Sequence, residues 1–251
     1  MAGGAAGGED AWHISGAAVT QFLRLLRPGE DEVAQHYAVK TLENVASHDS
    51  HWTARFATEA TAGQLLQIAA AASGRGEPLK ATAASALARL MRWHQPRLAQ
   101  ALFPRGKAGL KPLLAGLSEG NSKIQQPFLS MLLLALHADL QRPTSAGGSP
   151  VAGDERGLVP KLLAILEHGH SVLKAKALLC LDLLFQRSPA WLLAACGLKF
   201  VTLLEKLAKP AGKDEYLQSA LGHLSDSIRA RVPALLAEMD AELARLATQP
   251  P

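Results

Sequence analysis

The chain has 251 residues, of which 48% are hydrophobic, 19% charged and 5% aromatic, and its net charge is +4. That much apolar material excludes disorder over most of the length, and the length allows one or two globular domains or one solenoid. The mild basicity argues only weakly for nucleic acid, and no stretch approaches the ~18 consecutive apolar residues of a membrane span, so no membrane partner is expected.

Residues 1–10 read as a disordered Gly/Ala-rich tail, and 247–251 as a second tail. Between them, 11–246 reads as one repeat domain. Segment 11–27 predicts an amphipathic helix with Ile14, Val19, Phe22, Leu23 and Leu26 inward, ended by Pro28-Gly29 and capping the array. A core helix follows over 33–46. A short helix over 52–58, a medium one over 62–72 and a long apolar one over 79–93 make the first complete unit. The same order recurs at 96–103, 110–117 and 123–140. Pro127 reads as a first-turn proline, where the missing N–H costs little. Segment 142–156, rich in Pro, Gly, Ser and Thr, reads as a flexible insertion in place of a short helix. Helices over 158–167, 173–186, 190–196, 198–208 and 215–228 follow, and an amphipathic helix over 233–246 closes the far end. Ser188 and Pro189 form a start signal.

Two features repeat in phase. The long helices open on related segments. Lys80-Ala81-Thr82-Ala83-Ala84-Ser85-Ala86-Leu87 is echoed by Lys174-Ala175-Lys176-Ala177-Leu178-Leu179 and, more loosely, from Gln35, Lys123 and Asp214. These anchors lie 45, 43, 51 and 40 residues apart. The last four are each preceded by a glycine and an apolar helix, at Gly63, Gly109, Gly157 and Gly197, and glycine there is expected to end a turn and reverse the chain. An all-helical recurrence of about 40–47 residues is the signature of armadillo or HEAT arrays, and three helices per unit favours armadillo. The expected fold is an all-α, armadillo-like right-handed solenoid of about four to five repeats.

The quoted segments also carry a resemblance. Gln35-His36-Tyr37-Ala38-Val39-Lys40-Thr41-Leu42-Glu43-Asn44-Val45, Lys80 to Leu87, Lys123-Ile124-Gln125-Gln126, Lys174-Ala175-Lys176-Ala177 and Glu215-Tyr216-Leu217 resemble, in order, the armadillo/HEAT-repeat region of the family of the fourth Unc-51-like kinase and plant Runkel. The resemblance covers roughly residues 32–224. It implies a protein-binding scaffold acting with microtubules, in cilia or in the cytokinetic apparatus, and a cytoplasmic or cytoskeletal location. Members of that family begin with a kinase or pseudokinase domain. Here there is no Gly-x-Gly-x-x-Gly, His-Arg-Asp or Asp-Phe-Gly, so kinase activity and ATP binding do not carry over. The expectation is the family's repeat part alone, whether as a fragment or as a free-standing product.

Asn44 stands where armadillo repeats carry a peptide-binding asparagine, but the matching positions, Arg89, Leu132 and Leu183, break the ladder. Lys80, Lys123, Lys174 and Lys176 recur at the starts of core helices, and stacking would align them into a basic edge for an acidic protein or, as the alternative, nucleic acid. Arg89, Arg92 and Trp93 cluster near the end of one core helix and are the preferred groove contact, because Arg and Trp are enriched at binding hot spots. The nine histidines lack ligand spacing, so no metal is expected, and the absence of a nucleophile motif or phosphate loop leaves no cofactor and no enzyme. Cys180 and Cys196 read as buried free thiols of a reducing compartment.

Overall fold

The computed structural model describes residues 15–48, 51–71, 75–102, 110–141, 155–209 and 214–247. Every regular element among them is a helix: α1 (Gly16–Arg24), α2 (Glu32–Val45), α3 (His51–Phe56), α4 (Glu59–Ala69), α5 (Glu77–Trp93), α6 (Gln95–Leu102), α7 (Lys111–Leu117), α8 (Ser122–Leu140), α9 (Glu155–His168), α10 (Ser171–Arg187), α11 (Pro189–Cys196), α12 (Phe200–Ala208) and α13 (Glu215–Ala247). Two shorter helices followed by a long one recur as α3–α4–α5, α6–α7–α8 and α11–α12–α13, although α7, expected to be the medium helix of its unit, is no longer than α6. The expected tail over 1–10 and most of the insertion over 142–156 lie outside the described residues; α9 already begins at Glu155.

The long helices form the inner row. α2 packs on α5, α5 on α8, α8 on α10 and α10 on α13. One continuous core runs through them, with Val39, Leu87, Leu90, Phe128, Leu132, Leu178 and Leu181 fully enclosed. A helix apolar almost all round can exist only between neighbours, which is why α10, with nine buried residues, sits between α8 and α13. The helix starts are set locally. Asp31, Thr58, Asn121 and Ser188 each accept a backbone N–H of the first turn.

Several expectations need correction. Two of the repeated glycines are not chain reversals: Gly63 and Gly157 lie inside α4 and α9, Gly197 ends α11 as its C-cap but with an ordinary helical φ of −60°, and Gly109 lies outside the described residues. The left-handed residue in that turn is Lys199, at φ 63°. Pro127 and Pro160 fall beyond the first turn of α8 and α9, where each removes one helical hydrogen bond. The two terminal helices expected on either side of Pro233 are one, α13, which runs through an exposed Pro233. Water can take up the carbonyl that proline leaves free on an exposed face, so the helix continues. Leu236, an apolar residue of the segment expected to cover the far end, is 54% exposed. Cys180 is buried as read, but Cys196 is exposed.

Candidate protein-binding groove

The inner helices enclose a groove of about 1010 Å³. α2 contributes Lys40 and Glu43, α5 Pro78, Ala81, Thr82, Ser85, Ala88, Arg89 and Arg92, α8 Lys123, Gln126, Pro127, Ser130, Leu133 and Leu134, and α10 Lys176. Helical spacing explains the set, because side chains three and four apart share a face. From the N-caps Asp31, Gly76, Asn121 and His170, the ninth residue onward is Lys40, Ser85, Ser130 and Leu179; the first three line the groove.

Polar contacts between inner helices span about one repeat. Glu43 is the centre of the first set. Lys40 Nζ lies 2.6 Å from its Oε2, Ser85 Oγ donates to Oε1 at 2.5 Å, and Arg89 Nη2 lies 3.5 Å away. Arg89 also donates to Ser47 Oγ. Burial by itself would raise the Glu43 pKa, but the Lys40 and Ser85 hydrogen bonds, with the Lys40 and Arg89 charges, outweigh it and hold the carboxyl below its ordinary range. Further along, Lys176 Nζ donates to Ser130 Oγ at 2.6 Å, joining α10 to α8. Burial depresses the Lys176 pKa, partly countered by Cys180, whose own pKa burial pushes up.

The lining therefore holds five cations, Lys40, Arg89, Arg92, Lys123 and Lys176, against the single carboxylate of Glu43. Glu43 engages Lys40 and Arg89. Arg92 stacks on its neighbour Trp93, 5.2 Å from the ring centre. Between the charges lie apolar surfaces from Ala81, Ala88, Pro127, Leu133 and Leu134, and no aromatic side chain lines the groove among the described residues.

Comparison with known proteins places this architecture. No family model matches the chain. The serine/threonine-protein kinase RUNKEL of Arabidopsis thaliana is 33% identical over 239 residues, covering 94% of this chain and 17% of that protein. The mouse serine/threonine-protein kinase ULK4 is 27% identical over 247 residues, covering 95% of this chain and 18% of that protein. The chain is homologous to the armadillo-like region of the Runkel/ULK4 family. Among solved structures, an engineered protein aligns with a TM-score of 0.64 at 19% identity, over 84% of this chain and 48% of its own. A designed armadillo repeat protein, solved with the peptide (KR)4, aligns with a TM-score of 0.61 at 16% identity, over 84% of this chain and 82% of its own. The fold is an armadillo-like α-solenoid. The chain spans less than a fifth of either kinase relative.

Within this Runkel/ULK4-type repeat region the predicted residues separate. Arg89, Arg92, Lys123 and Lys176 line the groove. Lys80 and Lys174 do not. Alignment by N-caps places both four residues after the cap, the position of Gln35 and Gln125. Gln35 and Gln125 turn back and donate to the carbonyls of Arg27 and Leu117, at 2.5 and 3.2 Å. Lys80 is buried and Lys174 half-buried, so the four lysines do not form one continuous basic edge. Trp93 lies at the end of α5 and donates its indole N–H to Ala46 O at 3.1 Å, tying α5 to α2. Asn44 shares its position after the cap with Arg89 and Leu134, but it is exposed on α2, outside the groove lining.

Sequence reasoning missed Lys40, Glu43, Ser85 and Ser130. A signal for Glu43 was present: a carboxylate beside Leu42, four residues after Val39 on the apolar side of the helix and three after a lysine. Among the described residues, no group of three or more His, Cys, Asp or Glu side chains could hold a metal, and no helix is long and apolar enough to cross a membrane.

Proposed function

We propose that this repeat region is a non-enzymatic protein-binding scaffold that holds an extended segment of a partner along the inner-helix groove. One observation carries the reading: a continuous groove crosses four successive inner helices, α2, α5, α8 and α10. A solenoid spreads binding over several repeats, so no single deep pocket is required. The designed armadillo protein with similar architecture was solved with a peptide, which supports a peptide as the kind of ligand.

The homology to Runkel and ULK4 supports a setting in the microtubule cytoskeleton, in cilia or in the cytokinetic apparatus, and a cytoplasmic location. The partner is then a protein of that machinery. Co-sedimentation of the purified chain with assembled microtubules, with and without purified microtubule-associated proteins, tests this. Pelleting that depends on one such protein and is lost on Arg92→Glu is the expected result. A chain that stays in the supernatant in every mixture contradicts the cytoskeletal reading.

A further inference from the structure

We infer that the groove takes an acidic extended segment, with carboxylate or phosphate side chains interleaved with small apolar ones. This rests on the scaffold reading above and adds the chemistry of the occupant. Lys40 and Arg89 are held by Glu43. Arg92, Lys123 and Lys176 line the same groove without a carboxylate partner among the described residues. They stand on three successive inner helices, α5, α8 and α10.

Lys176 adds a second line of support. It is half-buried, its ammonium donates to the neutral hydroxyl of Ser130 at 2.6 Å and meets no carboxylate among the described residues, and its charge is disfavoured by burial. A charge carried at that cost is relieved by an anion brought to it. A basic ligand such as (KR)4 would bring like charge to this surface, which costs free energy rather than gaining it.

The lining also chooses between polyanions. Single-stranded nucleic acid is usually held by aromatic platforms on which bases stack, and the groove offers small aliphatic surfaces at Ala81, Ala88 and Pro127 instead. Those suit alanine-sized side chains. Helices packed side by side lie about 8–10 Å apart and an extended chain advances about 3.3 Å per residue, so crossing four inner helices takes about eight residues.

The test is fluorescence anisotropy with the full chain and four labelled probes. These are an octapeptide of alternating glutamate and alanine, the same peptide with glutamine, the same with lysine, and an oligothymidylate. The glutamate peptide is expected to bind about tenfold tighter than the glutamine peptide, with an affinity that falls as salt rises. The exposed pair Arg92→Glu with Lys123→Glu should cost about tenfold, while Lys111→Glu, at an exposed residue of α7 outside the groove, should leave affinity within about twofold. Unchanged melting curves show that the variants fold. Equal binding of the glutamate and glutamine peptides, tighter binding of the oligothymidylate, or an equal loss from Lys111→Glu overturns the acidic assignment. If the glutamine or lysine peptide binds as tightly as the glutamate peptide or tighter, and the groove pair abolishes that binding, the scaffold reading stands and only the acidic occupant fails. If no peptide binds, both fail.

Discussion

The carboxylate of Glu32, first residue of α2, accepts the backbone N–H of Gly76 at 2.8 Å, 44 residues further along the chain. Gly76 is the N-cap of α5 and has no side chain with which to cap it. The cap of one inner helix is thus tied to the start of the preceding one. The device recurs: Glu77, first in α5, accepts from the Asn121 side chain at 2.9 Å, and Asn121 caps α8. At the far end, Ser171, first in α10, hydrogen-bonds Asp214, which accepts from Leu217 N of α13 and whose pKa that hydroxyl lowers. Glu32→Gln should cost about 1 kcal/mol in urea unfolding. A Cβ on Gly76 would lie 2.6 Å from Glu32 Oε1, so Gly76→Ala displaces the same carboxylate. The double variant should therefore cost less than the sum of the singles; strict additivity would show that the two are not coupled.

Glu43→Gln removes the hub joining α2 to α5. With Arg89 and Ser85 left without their anion, the loss at neutral pH should be about 1–3 kcal/mol. The sign of the pH dependence follows from the lowered pKa. The folded state binds the Glu43 proton less well than the unfolded chain, so its contribution is complete above the ordinary value of 4.5 and is lost as pH falls through the folded value. Urea titrations of both proteins should differ at pH 7 and converge below the ordinary value. A constant gap down to pH 3 would assign the loss to packing.

At Gly116 two effects oppose each other. Alanine in a helix gains about 1 kcal/mol over glycine in propensity. Yet a Cβ on Gly116 would run into the ring of Phe128, which reaches from α8 and is fully enclosed. Overpacking a closed core costs about 1–3 kcal/mol. Gly116→Ala should lower the melting temperature, and the pair Gly116→Ala with Phe128→Leu should recover part of it. A stabilised single variant would mean that the ring moves freely.

The inner helices were legible because burial on all sides leaves a long apolar run, and the recurrence near Lys80 and Lys174 repeats it. The glycines misled for a physical reason: in α4 and α9 they are small residues inside helices, and the reversal near Gly197 falls on Lys199 instead. The site was legible in part. Anchoring on lysines pairs Lys80 with Lys123, whereas the N-caps pair Pro78 with Lys123, two residues away. Two residues are about 200° around a helix, enough to take Lys80 from groove to interior. Only the caps fix that register, and Gly76 gave no capping signal in the sequence.

Lys199 supplies a further test. A lysine in the left-handed region costs about 1–2 kcal/mol, and asparagine tolerates it better without the backbone entropy of glycine. Lys199→Asn should raise the melting temperature modestly. No gain, or a loss, would indicate that the turn is held by Lys199 contacts beyond its backbone.

Binding of an acidic segment requires the stacked inner helices to form the binding face. Photo-crosslinking with an acidic octapeptide carrying one benzophenone side chain, followed by mass-spectrometric mapping, tests this directly. Crosslinks should fall on α5, α8 and α10, at residues beside Ser85, Ser130 and Lys176. Crosslinks concentrated instead on α4, α7 and α9, the outer helices, would contradict it.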